Sequence, residues 1–73
     1  MIYEYLHPKA DKLKDKSMRA EDIMRLLNEN EFFPLTVRVD NHSGQVFIYF
    51  EKELSDKEKE KLDEIVNGFL RGW

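Results

Sequence analysis

The chain reads as a small α+β domain, a hairpin at about 35–50 packed by two helices. Three observations carry that reading: alternation of residues between two faces on either side of a turn, a long apolar stripe at helical spacing near the carboxy terminus, and a shorter one before the hairpin. The 73 residues fit one domain, 1–73, with no internal repeat, low-complexity linker or composition break to divide it.

The first segment has two competing readings. Tyr3 and Tyr5 alternate with Ile2, Glu4 and Leu6, which suits a short strand that ends at Pro8 and joins the hairpin as a third member, giving βαββα. Alternatively, a helix starts at Pro8 and runs on, because Ala10, Leu13, Ser17, Ala20, Met24 and Leu27 follow a 3-4-3-4-3 spacing, giving αββα. In the first reading Ser17 caps a shorter helix with Ala20, Ile23, Met24 and Leu27 on one face, and Asn30 is its left-handed terminator. Pro34 disfavours helical geometry at Phe33 and separates this helix from the hairpin.

In the hairpin, Leu35, Val37 and Val39 alternate with Thr36, Arg38 and Asp40, and Val46, Ile48 and Phe50 with Phe47 and Tyr49. Asn41-His42-Ser43-Gly44 is turn chemistry. A four-residue loop sets Val39 opposite Val46, Val37 opposite Ile48 and Leu35 opposite Phe50, so both strands turn their aliphatic residues to one side. Arg38 beside Phe47 and Thr36 beside Tyr49 fall on the other. The last helix spans about Asp56 to Leu70: Leu62, Ile65, Val66, Phe69, Leu70 and Trp73 stand at offsets of 0, 3, 4, 7, 8 and 11. Ser55 and Glu58 have capping-box spacing, in which each side chain accepts from an otherwise unpaired backbone N–H. The charged run from Lys57 to Lys61 is a solvated face.

Composition narrows the function classes. A domain of this size buries only about 60% of the surface its unfolded chain exposes, so an enclosed substrate pocket of roughly 300–1,000 Å³ would remove side chains the core needs. There is no cysteine, hence neither disulfide nor thiolate metal site. The start of the chain has no signal-peptide pattern, and its longest apolar run, Val46 to Phe50, is far below the roughly 20 residues of a membrane helix. A cytoplasmic protein with no membrane partner is expected. Lysine and glutamate dominate the charges and glutamine occurs once, a bias that recurs in hyperthermophile proteins.

No catalytic or metal-binding residues are assigned, and no cofactor is expected. His7 and His42 stand at no metal-ligand spacing, and His42 with Asp40 and Asn41 reads as turn chemistry rather than a cation site. Ser17 and Ser55 read as helix caps and Ser43 as a turn residue. No nucleophile elbow, phosphate-binding loop or dinucleotide fingerprint occurs.

What remains is a surface. Arg38, Phe47 and Tyr49 share the second face of the hairpin, which becomes a minor core if the amino-terminal segment folds over it and is extended by Tyr3 and Tyr5 if that segment pairs alongside. Trp73 continues the apolar stripe and reads first as core, the alternative being an aromatic anchor for a second subunit. These residues suggest a non-enzymatic protein-interaction module whose partner is another protein or a second copy of itself. The alternative is single-stranded nucleic acid stacked on the aromatic residues, with phosphates met by Lys9, Lys12, Lys14, Lys16 and Arg19, a stretch that also holds Asp11 and Asp15. The overall net charge of −3 weighs against it.

Overall fold

Five elements follow one another in the order β1 (Ile2–Leu6), α1 (Ala20–Glu29), β2 (Thr36–Asp40), β3 (Gln45–Tyr49) and α2 (Asp56–Arg71) in a computed structural model, which describes residues 1–6, 19–40 and 42–72. The chain is a compact α+β domain of βαββα order. The αββα alternative fails because Ile2–Leu6 is a strand, and one helix running unbroken from Pro8 to Leu27 fails because the backbone is extended at Arg19 (φ −106°, ψ 133°). The same extended residue moves the start of α1 past Ser17: Arg19 is the N-cap, and it makes no side-chain capping bond. Ser17 itself, like the rest of 7–18, lies outside the described residues.

The sheet order is β1-β3-β2, with β3 antiparallel to both neighbours. β1 and β2 therefore run in the same direction with β3 between them, and α1 lies on the crossover that joins them, as such a connection requires. The hairpin register is the one that the alternation predicts, with Val37 opposite Ile48 and Val39 opposite Val46. Gly44 makes the turn possible by adopting φ 76°, and its N–H donates to the Asp40 carbonyl at 2.8 Å. Pairing stops at Thr36 and Tyr49, so Leu35 does not continue the inward row: it lies in a bend, 67% exposed, while Phe32 and Pro34 are buried just before it.

One face of the sheet meets the helices. Tyr3, Val37, Val46 and Ile48 from the sheet pack with Ile23 and Leu27 of α1 and Leu62, Val66 and Leu70 of α2, joined by Phe32 and Phe50. Full burial of an aliphatic side chain contributes about 1.5–3 kcal/mol, and seven of these residues are less than 2% exposed. Every one of the seven is Ile, Leu or Val, so the centre carries no polar group needing a partner. Tyr3, Phe50 and Phe32 form an edge-to-face chain, with centroids 5.8 and 6.3 Å apart. Lys61 lies over the Phe32 ring, 5.8 Å from its centroid.

The helix ends are specified locally. α2 opens on the full capping box: Glu58 N–H donates to Ser55 Oγ, and Ser55 N–H donates to Glu58 Oε1. Hydrogen bonding from the Ser55 N–H, then from the Ser55 side chain, holds the Glu58 carboxyl below its usual range. α1 closes one residue later than expected. Asn30 keeps a negative φ, and Glu31 is the left-handed residue at φ 64°. With Phe32 N–H on the Leu27 carbonyl and Glu31 N–H on that of Asn28, this is a Schellman closure that turns Phe32 into the core beside Leu27.

A non-glycine residue in the left-handed region costs roughly 1–2 kcal/mol, whereas glycine adds about 0.5–1 kcal/mol of unfolded-chain entropy. Glu31→Gly is therefore expected to stabilise the protein by about 0.5–1 kcal/mol, raising the melting temperature by about 2–8 °C. Urea and thermal unfolding monitored by circular dichroism check this; unchanged or lowered stability would contradict the closure described.

Candidate functional site

Residues opposite one another in a sheet share a face, so the pairing of β1 with β3 sorts the aromatic residues. Ile2 lies opposite Tyr49, Tyr3 opposite Ile48, Glu4 opposite Phe47, Tyr5 opposite Val46 and Leu6 opposite Gln45. Tyr3 and Tyr5 therefore stand on the helix side, and the expected row of four aromatics divides in two. Tyr3 is buried; its ring packs on Phe50 and its hydroxyl accepts the Leu54 N–H at 2.8 Å. Tyr5 is half-buried and donates to Asp63 Oδ1 at 2.6 Å, while Lys59 Nζ meets the other oxygen of Asp63 at 3.2 Å. A buried tyrosine needs a partner for its polar tip, and both partners here come from α2 or the segment entering it.

The other face is a grid of three rows: Ile2, Tyr49 and Thr36; Glu4, Phe47 and Arg38; Leu6, Gln45 and Asp40. Phe47 is at its centre, half-buried between a carboxylate on β1 and a guanidinium on β2. Along the β1 side Ile2 and Leu6 are 54% and 63% exposed. Along the β2 side the surface is hollow, a concavity of about 490 Å³ lined by Arg38, Val39, Asp40, Phe47 and Tyr49. Both helices pack on the opposite side, so among the described residues no element covers this face.

Of the residues singled out from the sequence, Arg38, Phe47 and Tyr49 come together here. Ile2, Glu4 and Leu6 complete the surface and were not anticipated. Glu4 was the usable signal, since a carboxylate between two tyrosines marks its own side of the strand as the wet one. Arg19 is exposed at the start of α1 and pairs with Glu21 at 3.4 Å. Lys9, Lys12, Lys14, Lys16 and Trp73 lie outside the described residues.

Asp40, at the corner of the grid, is committed to the turn. Its Oδ1 accepts the N–H groups of His42 and Ser43, at 3.0 and 3.4 Å. Hydrogen bonding to Ser43 and the His42 N–H holds its carboxyl below the usual range. Among the described residues no three His, Asp or Glu side chains are grouped to hold a metal ion, and no helix is long and apolar enough to cross a membrane. No protein-family model, curated protein or solved structure matches the chain, so its function is argued from this surface.

Burial, then the hydrogen bond to Asp63 and its charge, push the Tyr5 phenol well above the ordinary value of 10.0. The folded protein thus keeps this proton where the unfolded chain releases it. Its contribution to stability is full below about pH 10 and falls as pH rises beyond that. Tyr5→Phe is expected to cost about 1 kcal/mol at neutral pH and to flatten the alkaline decline. Denaturant melts between neutral pH and about pH 11 check this; an equal alkaline decline in wild type and variant would contradict it.

Proposed function

We propose that this chain is a non-enzymatic protein-interaction module whose contact surface is the outer face of its sheet. The observation that carries the reading is the grid itself: Ile2, Leu6, Phe47 and Tyr49 are exposed or half-buried on a regular surface that no described element covers. Apolar area placed this way, rimmed by charge, is typical of a contact site. Asp40, at the corner of the grid, is occupied in the turn, and on the helix side Glu58 is held in the helix cap and Asp63 by Tyr5 and Lys59.

Single-stranded nucleic acid is the competing occupant, because Phe47 and Tyr49 with Arg38 resemble a stacking platform. Two facts weigh against it. Tyr3 and Tyr5 have left the platform for the helix side, and the face carries two carboxylates, Glu4 beside Phe47 and Asp40 in the next row on the Arg38 strand. A phosphate backbone would approach two negative charges to reach one arginine.

The test is retention of a partner, which includes a second copy, when the protein is purified from its host with a photo-crosslinking side chain at position 47. Crosslinks formed by the folded protein, and loss of the partner with Phe47→Glu, are the expected results. The surface position of Phe47 limits the cost of that substitution to about 1 kcal/mol. A monomer at high concentration with no retained partner overturns the reading. In amide NMR titrations, mixed-sequence single-stranded DNA and RNA should leave Phe47 and Tyr49 unmoved; salt-weakened shifts confined to the face would favour nucleic acid instead.

A further inference from the structure

We infer that the occupant of the outer sheet face is a second copy of this chain, related by a two-fold axis that lies between the two sheets and runs parallel to β3. This inference rests on the interaction-module reading and names its partner.

The inference comes from the pattern of the grid. A two-fold dimer places one patch against itself, and two such arrangements can centre on Phe47. An axis perpendicular to the strands sets Glu4 on Glu4 and Arg38 on Arg38, which is repulsive. An axis parallel to the strands carries β1 of one copy over β2 of the other. Glu4 then faces Arg38 of the second copy, and the same pair recurs across the axis. Phe47 meets Phe47 at the centre. Charge complementarity of this kind selects register and orientation more than it supplies affinity.

Shape agrees with charge. The β1 side carries the two projecting apolar residues, Ile2 and Leu6, whereas the β2 side carries the concavity between Arg38, Asp40, Phe47 and Tyr49. The axis that pairs Glu4 with Arg38 also carries the β1 row of each copy over the β2 row of the other, setting Leu6 opposite Asp40 at the margin of the hollow and Ile2 opposite Thr36. The result is two sheets face to face with helices outside, within the range of aligned sheet packings. Three strands at about 4.8 Å spacing and five residues at about 3.3 Å rise give a footprint of roughly 250 Å². Even with projecting side chains the interface stays near or below the roughly 1,200 Å² of a stable complex, so a weak, concentration-dependent dimer is expected.

The test uses the intact protein in sedimentation velocity and NMR diffusion measurements at concentrations up to about 1 mM. Wild type should self-associate. Glu4→Arg and Arg38→Glu should each weaken self-association about tenfold at low salt, since each replaces two attractive contacts with two repulsive ones. Mixing the two variants should restore association to within about threefold of wild type, because the mixed pair regains an attractive contact at both positions. Amide spectra confirm that each variant is folded. Failure of the mixture to recover overturns the inference, as does self-association that survives Phe47→Glu. A wild-type monomer that retains a different protein through position 47 also overturns it while leaving the interaction-module reading standing. A monomer retaining nothing overturns both.

Discussion

The seating of β1 against β3 decides what this protein shows to its surroundings. A two-stranded hairpin alone is marginal in water, and a third strand with a covered apolar face gives it independent stability. The third strand here has only five residues, and its side chains alternate between faces, so a slip of one residue would exchange every inward group for an outward one. Two tyrosines oppose that slip. Tyr3 accepts a hydrogen bond from the backbone ahead of α2, Tyr5 donates to Asp63 within it, and both bonds join groups more than fifty residues apart in sequence. A shifted register would leave the Leu54 N–H unpaired and draw Ile2, Glu4 and Leu6 toward the helices.

The character of the outer face follows from that seating. With the tyrosines turned inward, the exposed side of β1 contributes two aliphatic residues and a carboxylate to a face where the hairpin contributes two aromatics and an arginine. The polar requirement of the core, a partner for each phenol, and the apolar character of the surface thus have one cause. Electrostatics on the face changes with it. A row of four aromatics with an arginine would suit nucleic acid, whereas the observed row of Glu4, Phe47 and Arg38 has opposite charges on either side of an aromatic centre. That arrangement is complementary to itself.

How much of this was legible in the sequence differs from element to element. The hairpin register was legible, because polar and apolar residues alternate on β2 and a four-residue loop leaves one way to align Val37 and Val39 with Ile48 and Val46. α2 was legible for a similar reason, its stripe and its Ser55–Glu58 cap being local patterns. On β1 both sets of alternating side chains are largely apolar, so Glu4 is the one local sign of which set faces out, and the partners that fix the choice, Leu54 and Asp63, are remote. At α1 the structure departs from the local pattern for a different reason. Side-chain preference points to Ser17 and Asn30 as its ends, but the backbone is extended at Arg19 and left-handed at Glu31, and the latter brings Phe32 beside Leu27. At Leu35 the alternation was extended one residue too far, past the point where Pro34 and Phe32 close that end of the core. The face was therefore half legible, through Arg38, Phe47 and Tyr49, and its β1 half was not.

The most direct measurement is a set of side-chain nuclear Overhauser contacts from β1 in the isotopically labelled protein. The account requires contacts from the Tyr5 ring to α2 around Asp63 and from the Tyr3 ring to Phe50 and Leu54, with Ile2 and Leu6 showing none to either helix. Contacts from Ile2 or Leu6 to the helices, with Tyr3 and Tyr5 beside Phe47, would contradict it and return the tyrosines to the outer face.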